Sequence, residues 1–417
     1  MIRTIEALHY RCLRYVRQPL DRFHVLVGPN ASGKTTFLDV VAFLGRMVSD
    51  GLEAAILERT ENFNDLLWGR EGSSFELALE VDVPEDRRQL LRKKDYRTFR
   101  YEVRIGIDPD RREIGILEER GILKPTANEP VQQYEVFPRE VLAPGTILMG
   151  KTRANWRTVF SKVGGNDHFY SEVEEESGKG WYPSVRLGAK KSTLANLHED
   201  ESRFPVSTWL KEILEKGIQR FILNSLLIRK ASPFQVDSAF KPDGSSLPWV
   251  VESLRKHKRR FRDWLEHVQL VLPDVSDVRT VLRKDDRARY LTIRYKGGLE
   301  VPSWMASDGT LRLLALTILP YLPDAHGIYL IEEPENGIHP AGAQAVFDSL
   351  ASVYQGQVLL ATHSPVVLSV AEAKHVLCFK KTDSGATDIV IGRDHPRLKD
   401  WKGSPNLGDL LAGGILG

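Results

Sequence analysis

Apolar residues are regularly patterned at the two ends of the chain and irregularly patterned between them. The run Phe23-His-Val-Leu-Val27 predicts a short buried strand that leads straight into Gly28. After Gly33, Phe37, Val40, Val41, Leu44 and Met47 recur at helical spacing, and Asp50-Gly51 ends the helix. Phe75–Val83, Thr98–Ile107 and Ile114–Glu118 have strand character with charged turns between them, as in an antiparallel sheet beside the first strand. From about Lys124 to Pro242 proline, glycine and charge are scattered, and only Trp209–Leu226 reads as a helix. Leu247–Val271 reads as one amphipathic helix with Val250, Val251, Leu254, Phe261, Trp264, Leu265 and Val268 on its apolar face. Strands are expected at Val278–Leu282 and Tyr290–Tyr295.

From Asp308 the pattern alternates: a helix to about Leu322, a strand His326–Ile331, a helix Pro340–Tyr354, a strand Gln357–Ala361, a helix, and a strand His375–Phe379. Alternating apolar strands and helices imply a parallel sheet covered on both faces. The expected class is therefore α/β. One head is split between residues 1–123 and 286–417, with a large, partly helical insertion at 124–285.

Composition narrows this little. With 42% hydrophobic and 27% charged residues the chain reads as globular, and a net charge of +2 means that any basic surface must be local. Cys12 and Cys378 are too few and too distant for a disulfide framework or a zinc site, which suits a reducing cytosol. No apolar run approaches the roughly 20 residues needed to span a bilayer. The segment Met1-Ile-Arg-Thr-Ile-Glu6 reads as a charged strand rather than a signal peptide. A cytoplasmic protein with no membrane partner is expected.

The chemistry lies at the ends of the predicted strands. Gly28-Pro29-Asn30-Ala31-Ser32-Gly33-Lys34-Thr35 fits G-x-x-x-x-G-K-[ST] in full, with Thr36 next in the helix. Glycines in such a loop let successive N–H groups wrap phosphates, the lysine reaches the β- and γ-phosphates, and the Thr35 hydroxyl ligates Mg²⁺. The helix N-terminus adds a positive end. ATP and Mg²⁺ are the implied cofactors. Some 300 residues later, Ile328-Tyr-Leu-Ile-Glu332-Glu333 is an apolar strand that ends in two carboxylates. Glu332 suits a water-mediated Mg²⁺ contact, and Glu333 suits a general base for the attacking water. His363, at the tip of the next strand, can contact the γ-phosphate. Ser307-Asp308-Gly309 opens a helix and reads either as an anion site or as an ordinary helix cap.

The segments GPNASGKTTFLD, SDGTLRLLAL, YLIEEPENGIHP and ATHSPVVLS together resemble the predicted ATPases of the AAA/ABC-like group, relatives of the RecF, SMC and OLD-family ATPase domains. The resemblance reaches inward to Asp243-Gly244-Ser245-Ser246-Leu247, similar to a D-G-x-x-L element. It implies an ABC-type P-loop head, with a parallel core sheet and an antiparallel flanking sheet. It also implies a homodimer or higher oligomer that sandwiches ATP. Lys34, Thr35, Glu332, Glu333 and His363 would act in one subunit, and Ser307, Asp308 and Gly309 would come from the other. Two features depart from the pattern. Glu332 stands where ABC proteins usually carry aspartate, and no glutamine lies between the phosphate-loop helix and Phe75–Val83 to serve as a Q-loop.

OLD-family nucleases carry a metal-binding Toprim domain after the ATPase. The 54 residues beyond His363, with Asp394 and Asp400, do not make one, so a nuclease effector is expected on a separate chain. Arg255-Lys256-His257-Lys258-Arg259-Arg260-Phe261-Arg262 is the densest basic run. It suits DNA or RNA phosphates, but equally a solvated helix face or an acidic protein. Arg92, Lys93, Lys94, Arg97 and Arg100 form a weaker cluster. The expected role is an ATP-driven regulatory switch for a separate effector in prokaryotic anti-phage defence. The alternative is a RecF/SMC-like ATPase that clamps DNA directly. A transporter subunit fits poorly, because Ser307-Asp308-Gly309 replaces L-S-G-G-Q.

Overall fold

The computed structural model of the chain describes residues 1–125, 135–150, 155–173, 185–235, 239–323, 325–399 and 407–412. Its strands in chain order are β1 (Ile2–Tyr10), β2 (Leu13–Pro19), β3 (Phe23–Val27), β4 (Ser74–Asp82), β5 (Tyr96–Ile107), β6 (Ile114–Pro125), β7 (Arg157–Val163) and β8 (Asn166–Phe169). Then come β9 (Ile218–Phe221), β10 (Val275–Leu282), β11 (Arg289–Tyr295), β12 (Glu300–Pro302), β13 (Ile328–Glu332), β14 (Gln357–Ala361), β15 (Val376–Lys381) and β16 (Thr387–Ile391). The core sheet has the order β16-β15-β3-β14-β13-β9, parallel except for β16. The first and last thirds of the chain thus interleave in one sheet. That is the parallel sheet the alternating pattern predicts, in the P-loop NTPase arrangement the resemblance implied.

Strand alternation assigns the two faces. In β14, Leu359 and Ala361 join the core that contains the phosphate-loop helix Lys34–Asp50, while Val358 and Leu360 face the helices Asp308–Thr317 and Pro340–Ala351. The phosphate-loop helix is buried on almost every side, because a second sheet closes over it. That sheet is antiparallel, in the order β2-β1-β4-β5-β6-β7-β8. Its apolar face, including Ile5, Leu77, Leu79, Tyr101 and Val103, packs on Phe37, Val41, Leu44 and Met47. At roughly 1.5–3 kcal/mol for each fully buried large apolar side chain, this sandwich outweighs any surface ion pair in holding the helix. Where the helix meets the turn into β9, Gly45 leaves no room for a side chain: a Cβ there would stand 2.7 Å from Ile218 Cδ1 and 2.9 Å from the Leu214 carbonyl.

Three helix expectations are corrected. Trp209–Leu226 is not one helix. A helix Pro205–Glu212 passes through a wide turn, Ile213–Gly217, into β9, which takes the open edge of β13 with Ile218 opposite Ile328. Pairing at a free sheet edge overrides the local helical spacing. The Leu247–Val271 stripe is also interrupted. Helices Leu247–Lys256 and Lys258–Val271 meet at His257, whose φ of −96° and ψ of 73° are non-helical. There Arg255 turns inward, stacks on the Phe261 ring at 4.5 Å and bonds Asp277 at 2.9 Å and the Val278 carbonyl at 2.7 Å. The helix expected to run to Leu322 stops at Thr317, with a 3₁₀ turn at Leu319–Tyr321 around Pro320. The stretch 124–285 supplies β7 and β8 to the flanking sheet and β9 to the core sheet. Asp400 lies outside the described residues. None of the described helices is long and apolar enough to cross a membrane.

The outer face of the flanking sheet is polar. Arg100, 1% exposed, pairs with Glu6 at 2.8 Å, Glu80 at 3.1 Å and Glu102 at 2.7 Å. Arg100 also donates to the Ile147 carbonyl at 2.8 Å. Arg100 therefore drops out of the weak basic cluster seen in the sequence. Replacing it with alanine removes the shared cation from three buried carboxylates, leaving Glu80 to Lys124 at 2.5 Å and Glu102 to the Met149 N–H at 2.8 Å. Arg100→Ala is expected to lower unfolding free energy by about 3–5 kcal/mol, read from urea denaturation; a loss under ~1 kcal/mol would mean that water reaches the network.

Candidate nucleotide site

Three adjacent parallel strands, β3, β14 and β13, end side by side. Gly28 follows β3, Thr362 and His363 follow β14, and Glu332 closes β13 with Glu333 just beyond. The carboxyl ends of such strands are where an open α/β sheet binds ligands. Residues almost 300 positions apart become neighbours there, around a cleft of about 370 Å³ lined by Asn30 to Thr36, Glu332, Glu333 and His363.

The phosphate loop has the shape its glycines permit. Gly28 and Gly33 hold φ of +150° and +104°. A Cβ at Gly28 would fall on the Phe379 carbonyl, and one at Gly33 on the Thr387 hydroxyl. The Thr387 hydroxyl itself donates to the Ser32 carbonyl at 2.9 Å, which pins the loop to β16. Ser32 Oγ is buried without a hydrogen-bond partner, as expected of a group aimed at an incoming acceptor. Lys34 Nζ donates to the carbonyls of Gly28 at 2.8 Å and Pro29 at 2.9 Å. Burial lowers its ammonium to about 8, against the opposing pull of Glu333 and Glu332.

The Thr35 hydroxyl donates to one oxygen of Glu332, and Arg220 from β9 donates to the other at 2.8 Å. Hard oxygen donors converge here, a set that suits Mg²⁺. Among the described residues no group of three or more His, Cys, Asp or Glu side chains could hold a metal. The Thr35 hydroxyl fits direct contact with such an ion and Glu332 fits contact through water, with phosphate oxygens and water filling the remaining positions. Glu333 has a φ of +46°, strained for a non-glycine residue, and its N–H bonds the Ala361 carbonyl at 2.8 Å. Its carboxylate accepts a hydrogen bond from Asn336 Nδ2. His363 N–H donates to Glu335 at 3.1 Å, and the Thr362 hydroxyl donates to the same oxygen at 2.6 Å. Burial first, then the Lys34 charge, holds the His363 ring below its usual range and so favours its neutral form.

Ser307, Asp308 and Gly309 do not join this cleft. Ser307 Oγ caps its own helix through Thr310 N–H at 3.1 Å, Asp308 pairs with Arg229 at 2.7 Å, and a Cβ on Gly309 would lie 2.6 Å from the Gly337 carbonyl. Arg312 on the same helix donates to the Leu223 carbonyl at 3.2 Å and the Asn336 carbonyl at 3.3 Å. Gly244 gives the Asp243–Leu247 turn a φ of +78°.

Over residues 23–369 the chain matches the family described as AAA domain, putative AbiEii toxin, Type IV TA system. The chain belongs to this AAA family. Solved structures agree on the fold. One is an SMC head bound to the C-terminal winged-helix domain of ScpA, 15% identical, with a TM-score of 0.55 over 93% of this chain and 96% of that one. Another is an Smc head with an extended coiled coil bound to the C-terminal domain of ScpA derived from Pyrococcus furiosus, 14% identical, with a TM-score of 0.51 over 93% and 95%. The architecture is that of an ABC-type ATPase head, as the motifs implied.

Sequence reading missed four groups at this AAA site. Arg11 and Cys12, from the β1–β2 turn, and Lys381, at the end of β15, line the cleft. Arg220 holds Glu332. None lies in a motif, and only β-strand adjacency brings them in. In the basic run, Arg255 and Arg260 turn inward, Arg260 to the Tyr321 carbonyl at 3.4 Å; Lys256, Lys258, Arg259 and Arg262 are exposed.

If the Lys34 ammonium contacts phosphate in a nucleotide complex, its charged form is favoured there over the free protein, where burial lowers it to about 8. Nucleotide affinity should therefore hold steady below pH 8 and fall above it, by up to about tenfold per pH unit. Titration of a fluorescent ATP analogue between pH 6.5 and 9.5 measures this. A flat profile would show that Lys34 stays charged throughout.

Proposed function

We propose that this chain is an ATPase that binds Mg²⁺–ATP in the cleft at the ends of β3, β14 and β13 and hydrolyses it between two heads. The observation that carries the reading is the meeting of Lys34, Thr35, Glu332, Glu333 and His363 in one cleft, with Ser307–Gly309 outside it. On ATP binding Lys34 exchanges the Gly28 and Pro29 carbonyls for the β- and γ-phosphates, and the loop N–H groups from Asn30 to Thr36 hold the remaining phosphate oxygens. Thr35 directly and Glu332 through water would hold Mg²⁺, which would neutralise charge on the phosphates. Glu333 accepts a proton from the water that attacks the γ-phosphorus, the bond from that phosphorus to the β–γ bridging oxygen breaks, and ADP leaves with that oxygen; His363 lies where it senses the γ-phosphate. Ser307, Asp308 and Gly309 meet the nucleotide of the other copy in a homodimer.

The head is then a switch for a separate effector, such as a nuclease, in a defence-type system. The family's description as a putative AbiEii toxin supports that setting. The ScpA-bound SMC heads show that a head of this fold can carry a protein partner. The second reading, direct clamping of DNA, is favoured by the exposed Lys256, Lys258, Arg259 and Arg262.

Glu333→Gln is expected to keep ATP affinity, lower turnover by roughly 10²–10⁴ and accumulate an ATP-bound dimer in gel filtration. Turnover at the wild-type rate would remove Glu333 as the base. Ser307→Arg should bind ATP as a monomer and form no dimer.

A further inference from the structure

We infer that Arg220 is a positioning residue for Glu332, the carboxylate proposed to hold Mg²⁺. The inference rests on the ATP-binding reading above and extends it to a residue in no motif. β9 runs parallel to β13, with Arg220 opposite Leu330, two positions before Glu332. From there its guanidinium reaches forward to the strand end and places Nη2 2.8 Å from Glu332 Oε1. The other oxygen, Oε2, receives the Thr35 hydroxyl. The two oxygens of Glu332 are therefore divided between two neighbours: one is tied to the adjacent strand, and the other is turned to the phosphate loop, where the ion would sit.

This division answers a problem set by the sequence. A glutamate has one more rotatable bond than an aspartate, so at the end of β13 its carboxylate must lose an extra torsion before it can serve a metal. A guanidinium fixed on the neighbouring strand removes that freedom, as outer-shell partners do for ligating carboxylates. The ordinary alternative is a half-exposed ion pair, with Arg220 37% and Glu332 26% exposed, worth little in itself. The two readings differ in outcome. A mere surface pair leaves metal affinity alone. A cationic placeholder that the ion must displace would tighten metal binding when removed. A positioning residue weakens it.

The test uses the full chain and a fluorescent ATP analogue, titrated with Mg²⁺ and, separately, in EDTA. Arg220→Ala is expected to raise the Mg²⁺ concentration for half-maximal analogue binding by about 10–100-fold, with analogue affinity in EDTA unchanged. Arg220→Lys, which keeps the charge but loses the planar fork, should fall between wild type and alanine. Unchanged EDTA affinity also shows that the variants fold. A half-saturation for Arg220→Ala equal to or below wild type overturns the inference while leaving the ATP site intact. Wild-type binding that ignores Mg²⁺ removes the metal reading itself, and the role of Arg220 with it.

Discussion

The structure depends on one adjacency, the parallel packing of β14 between β3 and β13. Each strand is only five residues long, and each ends beside residues that mean little alone: Val27 before Gly28, Glu332 before Glu333, and Ala361 before Thr362 and His363. Registered side by side, they bring a phosphate loop, an acidic pair and a histidine to one edge. Everything else serves that edge. The flanking sheet buries the phosphate-loop helix from one side, and the helices Asp308–Thr317 and Pro340–Ala351 bury the strands from the other. Gln357 stitches the sheets together through Ile2 N–H at 2.9 Å, the Ile2 carbonyl at 2.8 Å and the Asp21 carbonyl at 2.9 Å.

Electrostatics at this edge are arranged in advance of any ligand. Lys34 rests on carbonyls of its own loop, so its charge is satisfied but weakly held. Glu332 is divided between Thr35 and Arg220, and Glu333 is held by Asn336. Asn336 in turn offers its carbonyl to Arg312, on the helix opened by Ser307. A chain of direct hydrogen bonds therefore runs from the acidic turn to the helix proposed to face the other copy.

Much of the head was legible because its signals are local. The strand–loop–helix context of Gly28–Thr35 and the alternating strands after Asp308 each carry a period that one stretch of sequence displays. The flanking strands β4 and β5 were legible for the same reason, since Phe99, Tyr101 and Val103 alternate with Arg100, Glu102 and Arg104. What was hidden depends on distant partners. β9 looked helical because its strand state comes from the free edge of β13, more than a hundred residues later. The break at His257 follows from Arg255 finding Asp277 and Phe261. Arg220, Arg11 and Lys381 enter the site only through strand neighbours, so no motif could announce them.

The account's central claim is that a working site is assembled from two copies of the chain, and a mixing experiment tests it most directly. Lys34→Ala and Ser307→Arg chains, each inactive alone, are combined and ATP turnover is measured. Their mixed dimer contains one site with an intact Lys34 facing an intact Ser307, so the account predicts that activity returns on mixing. A mixture as inactive as its components, or a Ser307→Arg chain fully active alone, would contradict it.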